Sequence, residues 1–328
     1  MTGPYLHSID PVIATVFGVH LWWYGLTYSI GFLGLHLNLR LTRDRTGFTA
    51  RNVYDLTLLM AIGVLLGARA VEVAFYEWSF YREHARLIPA VWLGGMSSHG
   101  ILAGGMAGVW IFSRLHAAPF LKVTDALVVP AAFMLGVGRI GNFIDGQIVG
   151  IPTNVGWAVQ FPDADGFRHP VVLYDGLKNF LLIPILLYAG RRRPPTGALT
   201  GLFLVLYASL RIGIDLFRVY PDTLAGFATG QVLNVAMTFG GVCISAWSHR
   251  ARAGLNRERC AQQLIARPRT RRGGMAWRRV LLAVVTVFAL VIPSDWTQDV
   301  PARYGKRHPG MKHSFLYPAI DPSGPTVE

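Results

Sequence analysis

The sequence predicts an all-α polytopic membrane protein: seven transmembrane helices, an eighth near the C-terminus, and a small extracytoplasmic head. Three observations predict it. Apolar runs of roughly 17–23 residues recur, about the length that crosses a bilayer core. The chain is 52% apolar and only 15% charged, with mean hydropathy +0.38. Its arginines cluster in alternate loops, as the positive-inside rule expects. The net charge of +13 is therefore read as topology, and nucleic-acid binding is not expected. Cys243 and Cys260 have no disulfide-framework or metal-ligand spacing. The N-terminus lacks a basic n-region, so no cleavable signal peptide is expected.

The first apolar run, residues 12–39, ends in Arg40, Arg43 and Arg45, which places the N-terminus outside. Residues 53–75 return outward carrying Arg69 and Glu72, three apart and expected to pair. Residues 76–89 mix aromatic and charged side chains and suit an interfacial arm. The third span opens at 94–105 with G-G-M-S-S-H-G-I-L-A-G-G and closes at Arg114, His116 and Lys122. Residues 124–144 lead outward into a Gly/Pro-rich head at 145–170, where W-A-V-Q-F at 157–161 suggests a short strand. Asp163, Asp165 and Arg168 are expected to be solvated there. Residues 171–190 cross inward to the arginines at 191–193, 197–217 cross outward, and 230–247 return.

Residues 248–279 are basic, a topogenic cytoplasmic segment that anionic headgroups would attract. The apolar stretch 280–293 is short for a span, flanked by Trp277 and Trp296 as interface anchors. Beyond it the chain is polar and proline-rich, and a loosely ordered tail is expected.

Chemistry concentrates at 135–150, L-G-V-G-R-I-G-N-F-I-D-G-Q-I-V-G. Its G-x-G-x-x-G string matches a dinucleotide fingerprint, but no strand-then-helix unit carries it. A cation at the end of a lipid-buried segment instead needs a partner or a bound anion. The predicted topology brings Tyr24, His99, Arg139, Asn142, Arg211, Asp215 and Arg218 to one leaflet. Arg211, Asp215 and Arg218 share a helix face at i, i+4, i+7. An internal ion pair between Arg211 and Asp215 is the simpler reading. Adding Arg139 makes positive charge exceed carboxylate, which favours an anion site, and the planar arginine fork suits phosphate.

His99 fits three roles: general base, phosphate ligand or packed structural residue. Asn142 can donate to a ligand or hold two helices together, and Tyr24 can be a plain interface aromatic. Asp175 and Lys178, three apart, read as a structural pair. With no H-E-x-x-H motif or Cys/His cluster, no metal or cofactor is expected.

At these residues the chain resembles the bacterial phosphatidylglycerol–prolipoprotein diacylglyceryl transferases. The resemblance spans about residues 22–247. Gly138, Arg139, Gly141, Asn142, Phe143, Ile144, Gly146 and Gly150 match a signature similar to G-R-x-G-N-F-I-N-G-E-x-x-G. Further matches are W-Y-G at 23–25, G-A-R at 67–69, G-G-M-S-S-H-G at 94–100, R-H-P…L-Y at 168–174 and R-x-x-x-D-x-F-R at 211–218. The resemblance implies that Arg139 and Arg211 contact a phospholipid phosphate, and that Tyr24, His99, Asn142 and Gly150 belong to the active site. The apolar runs and charge placement divide the chain into a seven-helix membrane domain at 1–247, a basic segment at 248–279, an extra helix at 280–293 and an extracytoplasmic tail at 294–328. The partners that the resemblance implies are phosphatidylglycerol, membrane lipid and a prolipoprotein with a lipobox cysteine, and its implied location is the inner membrane.

The departures are specific. Gln147 replaces the signature's acid, Asp145 its second asparagine, and Asp215 a glutamate. Val171 and Val172 replace a serine–glutamine pair, and a residue is gained around Tyr220. The implied reaction is attack of the cysteine sulfur on the glycerol carbon with loss of glycerol phosphate, His99 or Asp145 serving as base. The alternative is a diverged relative that binds phospholipid or lipoprotein without transfer.

Overall fold

A computed structural model describes residues 4–219, 223–224, 227–255, 274–294 and 299–320. Strand β1 (Tyr5–Leu6) leads into a hairpin of β2 (Val12–Val16) and β3 (Val19–Trp22). The expected first span at 12–39 is thus divided. Val-Ile-Ala-Thr-Val is rich in β-branched residues, and Phe17 and Gly18 turn with φ of 50° and 78°, the positive pair that a tight two-residue hairpin turn demands. Helix α1 (Trp23–Leu41) begins only after it.

A short α2 (Arg43–Thr46) precedes α3 (Ala50–Val71), which a π turn extends through Tyr76. A capping box starts α3: Thr49 Oγ1 accepts from the Asn52 amide at 3.1 Å, and the Thr49 amide donates to Asn52 Oδ1 at 3.0 Å. The arm that follows holds α4 (Trp78–Tyr81) and two 3-10 turns. Then come α5 (Ser98–Leu115), α6 (Phe120–Ile144), strand β4 (Val159–Gln160), α7 (Val171–Arg191) and α8 (Ala198–Asp215). Strands β5 (Thr223–Leu224) and β6 (Phe227–Ala228) lead into α9 (Thr229–Leu255), and α10 (Met275–Ala289) and α11 (Val300–Tyr304) complete the chain.

Among the described residues four helices are long and apolar enough to cross a membrane: Ala50–Tyr76, Phe120–Ile144, Val171–Arg191 and Ala198–Asp215. The tyrosines, His36 and Asn38 of α1 lower its hydropathy. Tyr220, Cys260, Trp296 and most of the basic segment lie outside the described residues.

Helix α3 packs on α5, α1 on α6, α6 on α7, and α8 on α9. Small residues set the closest of these approaches: a Cβ on Gly67 would lie 2.5 Å from the Gly100 carbonyl oxygen. Helix α10 lies against α3 and α1. Its Val285 and Ala289, with Ile292 beyond its end, share a core with Tyr28, Phe32, Ala61 and Val64.

Two expectations fail here. Arg69 does not spend its donors on Glu72; it gives them to the carbonyls of Leu87, Ile88 and Gly94 at 2.6–2.7 Å, pinning the arm across the end of α3. The buried guanidinium finds in that arm a cluster of carbonyls that a single carboxylate cannot match. Nor are residues 299–320 of the C-terminal tail loose. Val300, Tyr304 and Tyr317 are fully buried with Trp22 and Leu93, and the Trp22 and Tyr304 ring centroids lie 4.8 Å apart. A few aromatics suffice to dock a polar segment when each one fills a pocket.

The head forms around β4, which pairs in parallel with β1. His7 stacks on Phe161 and hydrogen-bonds through Nε2 to the Phe143 carbonyl at 2.8 Å. Burial, reinforced by the Arg307 charge, pushes the His7 imidazole below its ordinary pKa, so its neutral form holds the end of α6. The charges of the head are not simply solvated. Asp163 pairs with Arg303 of the tail at 3.1 Å, and Arg168 donates to the Asp165 carbonyl at 3.0 Å.

Candidate functional site

Three helices deliver ionisable groups to one place. Near its C-terminal end α6 carries Arg139 and, one turn later, Asn142, whose Oδ1 accepts from Arg139 Nη1 at 3.2 Å. Helix α7 carries Asp175 just inside its N-terminus, with Lys178 on the same face. Late in α8 come Arg211 and Asp215.

Asp175 is the hub. It accepts from Arg139 Nε at 2.6 Å and from Lys178 Nζ at 2.8 Å, and it pairs also with Arg211 Nη1. Its side chain is 1% exposed. Arg211 Nε reaches on to Asp215 Oδ1 at 2.8 Å. The Asp215 carboxylate also accepts from Asn234 of α9 at 3.3 Å. The Lys178 ammonium sits 3.7 Å from the centre of the Tyr207 ring, so the ring face supplies part of its solvation.

Within these contacts three cations, Arg139, Lys178 and Arg211, meet two carboxylates, Asp175 and Asp215. A narrow crevice beside them is lined by Arg139, Asp175, Arg211, Arg218, Ile148, Val171 and Val172. Buried charges are tolerated when paired and hydrogen-bonded, and among the contacts named here cations outnumber carboxylates by one. Such an arrangement can take up an anion without desolvating a new counter-ion.

Asp175 and Lys178 are therefore more than the private pair that their spacing suggests. The i, i+3 relation is visible in the sequence; a role as the junction of three helices is not. The expected Arg211–Asp215 pair forms, and it forms inside this larger cluster.

Tyr24 packs on α6 at Gly141, where an added Cβ would lie 2.9 Å from the tyrosine ring. Its hydroxyl is 3.4 Å from that of Tyr28. Gly150 acts through its backbone: it bridges to Arg218, and its amide donates to the His169 carbonyl at 3.1 Å. A Cβ there would fall 2.5 Å from that carbonyl and 2.8 Å from that of Phe217, so only glycine brings the head this close to the end of α8. His99 stands apart. Ser97 caps α5 by accepting from the Gly100 amide at 3.3 Å, and the exposed His99 hydrogen-bonds through Nδ1 to the Tyr76 hydroxyl at 2.8 Å rather than to a member of the arginine cluster.

The altered positions of the 135–150 stretch meet the C-terminal extension. Ser294 Oγ donates to Gln147 Oε1 at 2.7 Å and accepts from Asn142 Nδ2 at 3.2 Å, while the Ser294 amide donates to Asp145 Oδ2 at 3.2 Å. Arg307 donates to the Asp145 carbonyl at 2.9 Å. Ser294 has no distinguishing signal in the sequence beyond its place after an apolar run.

Residues 11–247 match the family model described as prolipoprotein diacylglyceryl transferase. The chain is similar to the phosphatidylglycerol–prolipoprotein diacylglyceryl transferase of Pseudoalteromonas atlantica, 36% identical over 253 residues, which cover 74% of this chain and 90% of that protein. It is 36% identical, over the same share of this chain, to the proteins of that name from Pseudomonas aeruginosa strain UCBPP-PA14 and Nitrosomonas europaea, of which 95% and 91% are covered.

Proposed function

The chain belongs to the prolipoprotein diacylglyceryl transferase family, and on that premise we propose that it transfers the diacylglyceryl group of phosphatidylglycerol to the lipobox cysteine thiol of a prolipoprotein. The observation that carries the reading is the convergence of Arg139, Lys178 and Arg211 on Asp175 beside the crevice. A phospholipid phosphate entering there meets two arginine forks already brought together and aimed by Asp175 and Asp215. The cost of organising them is met in folding rather than during the reaction.

The sulfur attacks the glycerol carbon that bears the phosphate. The new C–S bond forms as the C–O bond breaks, and glycerol phosphate leaves with the electron pair. Arg139 and Arg211 stabilise the charge that grows on the departing oxygen, while Arg218 and Asn142 help to position the headgroup. Tyr24 and Gly150 shape the walls around them. A free thiol ionises near pH 8.5, so a base that takes its proton accelerates attack. His99 is assigned that role, with Asp145 the second candidate. The protein sits in the bacterial inner membrane as seven or eight spans, with its N-terminus and site on the periplasmic side. Cysteine-accessibility labelling of the loops around Arg45, Arg192 and Asp163 tests that orientation.

The decisive experiment supplies phosphatidylglycerol and a lipobox peptide to the purified protein and weighs the peptide. A gain of one diacylglyceryl is expected, abolished by Arg139→Ala and by His99→Gln. Undiminished transfer by Arg139→Ala removes the phosphate assignment. A second reading, binding without transfer, is favoured by Gln147, whose side chain is neutral and engaged by Ser294. No mass gain with intact phospholipid binding selects it.

A further inference from the structure

The region matched to the family stops at residue 247, yet the chain beyond it reaches the candidate site. We infer that residues 275–294 are a built-in substrate mimic: α10 occupies the groove that receives a prolipoprotein's signal-peptide helix, and the Ser294 hydroxyl stands where the cysteine thiol of a substrate would stand. The inference rests on the transfer reading above and adds to it the location of the peptide site.

The sequence of the extension is built like a secretory signal. Arg267, Arg269, Arg271, Arg272, Arg278 and Arg279 precede an uncharged run from Val280 to Ile292, and Pro293 then leads to Ser294. A basic flank followed by an apolar core of about 7–15 residues is how a signal peptide begins. The resemblance extends to direction. At the start of α10, Arg278 Nε meets Asp55 Oδ1 at 2.5 Å, close to the arginine-rich end of α3. At its far end Ser294 meets Asn142 and Gln147. The segment therefore runs from the side on which the basic loops lie towards the arginine site, the path a signal peptide takes with its basic end retained in the cytoplasm.

Its grip is on the main chain. Ser29 Oγ donates to the Thr286 carbonyl at 2.7 Å, and the Trp22 amide donates to the Leu290 carbonyl at 2.9 Å. Gly25, in the first-span W-Y-G motif, leaves room for the same strip of backbone: a Cβ there would lie 2.4 Å from the Ala289 carbonyl oxygen and 2.6 Å from that of Leu290. A groove that reads carbonyls and apolar bulk tolerates many sequences, as an acceptor of different signal peptides must. The chemistry at the tip completes the match. Ser294 Oγ lies two hydrogen bonds from Arg139, through Asn142. An alcohol is a much weaker nucleophile than a thiol at neutral pH, so the serine holds the position without being transferred upon.

Two measurements on the full chain test this. In the first, Ser294→Cys is incubated with phosphatidylglycerol vesicles and its intact mass recorded, with wild type and a lipobox peptide run alongside. The expected result is one diacylglyceryl on the introduced thiol: its Sγ–C bond forms at the phosphate-bearing glycerol carbon, and glycerol phosphate leaves with the electron pair and takes up the thiol proton. If wild type modifies the peptide while the introduced thiol stays free, the mimic is overturned and the transfer reading stands. The second measurement needs no chemistry. A fluorescent signal peptide with serine in place of its lipobox cysteine is titrated into wild type, Ala289→Phe, which crowds α10 off Gly25, and Arg278→Glu, which breaks its anchor. Both variants are expected to bind it about ten-fold more tightly. Equal affinities, or binding by none of the three, overturn the inference whether or not transfer occurs.

Discussion

Two aspartates gather cations at opposite ends of the helix bundle, and they do different things. Asp175 collects Arg139, Lys178 and Arg211 from three helices and is 1% exposed. Asp55 collects Arg51 at 3.6 Å, His116 at 3.3 Å and Arg278 at 2.5 Å, and is 14% exposed. Both look like one carboxylate among three bases. At Asp55, however, one partner is a histidine that burial holds below its ordinary pKa, against the pull of Asp55 itself, and water reaches the group. At Asp175 the partners are two arginines and a lysine in a desolvated setting, beside a crevice that a further arginine lines. Both clusters hold more cations than carboxylates; the one away from water suits an anion, and the one that water reaches serves as a clamp.

The sharpest way to break this contrast is to delete each hub. Asp175→Ala leaves buried cations uncompensated and is expected to cost about 3–5 kcal/mol, read as a loss of thermal stability in detergent. Asp55→Ala, in a partly hydrated cluster, is expected to cost less, about 1.5–3 kcal/mol. Comparable losses at both positions would erase the distinction.

Next in size, Arg139→Ala and Arg211→Ala should each slow transfer about a hundred- to a thousand-fold, the worth of one organised donor at a developing oxyanion. Binding of a phosphate-bearing lipid should weaken with it. Arg51→Ala, from the other cluster, should change neither measurement.

A smaller effect separates the anchor from the site. Asp55→Asn removes the charge that holds Arg278, a charge-assisted hydrogen bond of about 1–2 kcal/mol at a partly exposed position. Limited proteolysis within 275–294 should accelerate, while phospholipid binding at the arginine cluster stays unchanged.

The smallest effect is a pH dependence in the docked tail. His20 accepts or donates at Nδ1 with Thr15 at 2.8 Å, its amide donates to the Tyr317 hydroxyl at 3.0 Å, and its ring packs on those of Tyr317 and His308. Burial pushes its pKa down, the neighbouring His308 pushes the same way, and Asp10 opposes both. The docked form thus holds His20 neutral, whereas the undocked form protonates at the usual value of about 6.5. Docking is intact above that value and weakens as pH falls through it. Hydrogen-exchange protection of residues 300–317, taken relative to the intrinsic exchange rate at each pH, should fall between about pH 7 and pH 5, and His20→Gln should flatten the profile. Protection lost on going alkaline would contradict the assignment.

Much of this is legible in the residues. Arginines ending α1, α5 and α7 follow the alternation that topology imposes, and the i, i+4 pair of Arg211 and Asp215 declares one helix face. Helix α1 is shorter than its apolar run because apolar content alone does not separate a β-branched hairpin from a helix; the turn at Phe17 and Gly18 decides it. Spacing points Arg69 at Glu72, but a buried guanidinium takes the partners that surround it, and those are the carbonyls of an arm some twenty residues away. The tail reads as loose by its polarity, although its few aromatics carry the packing.

The sequence by itself determined a helical membrane protein, its family, and the arginines of the candidate site, because these follow from run length, charge placement and local motif. Only the tertiary structure decided that Asp175 joins three helices and that Ser294 lies against Asn142 and Gln147. Those contacts join residues far apart along the chain, and their partners are set by how helices pack.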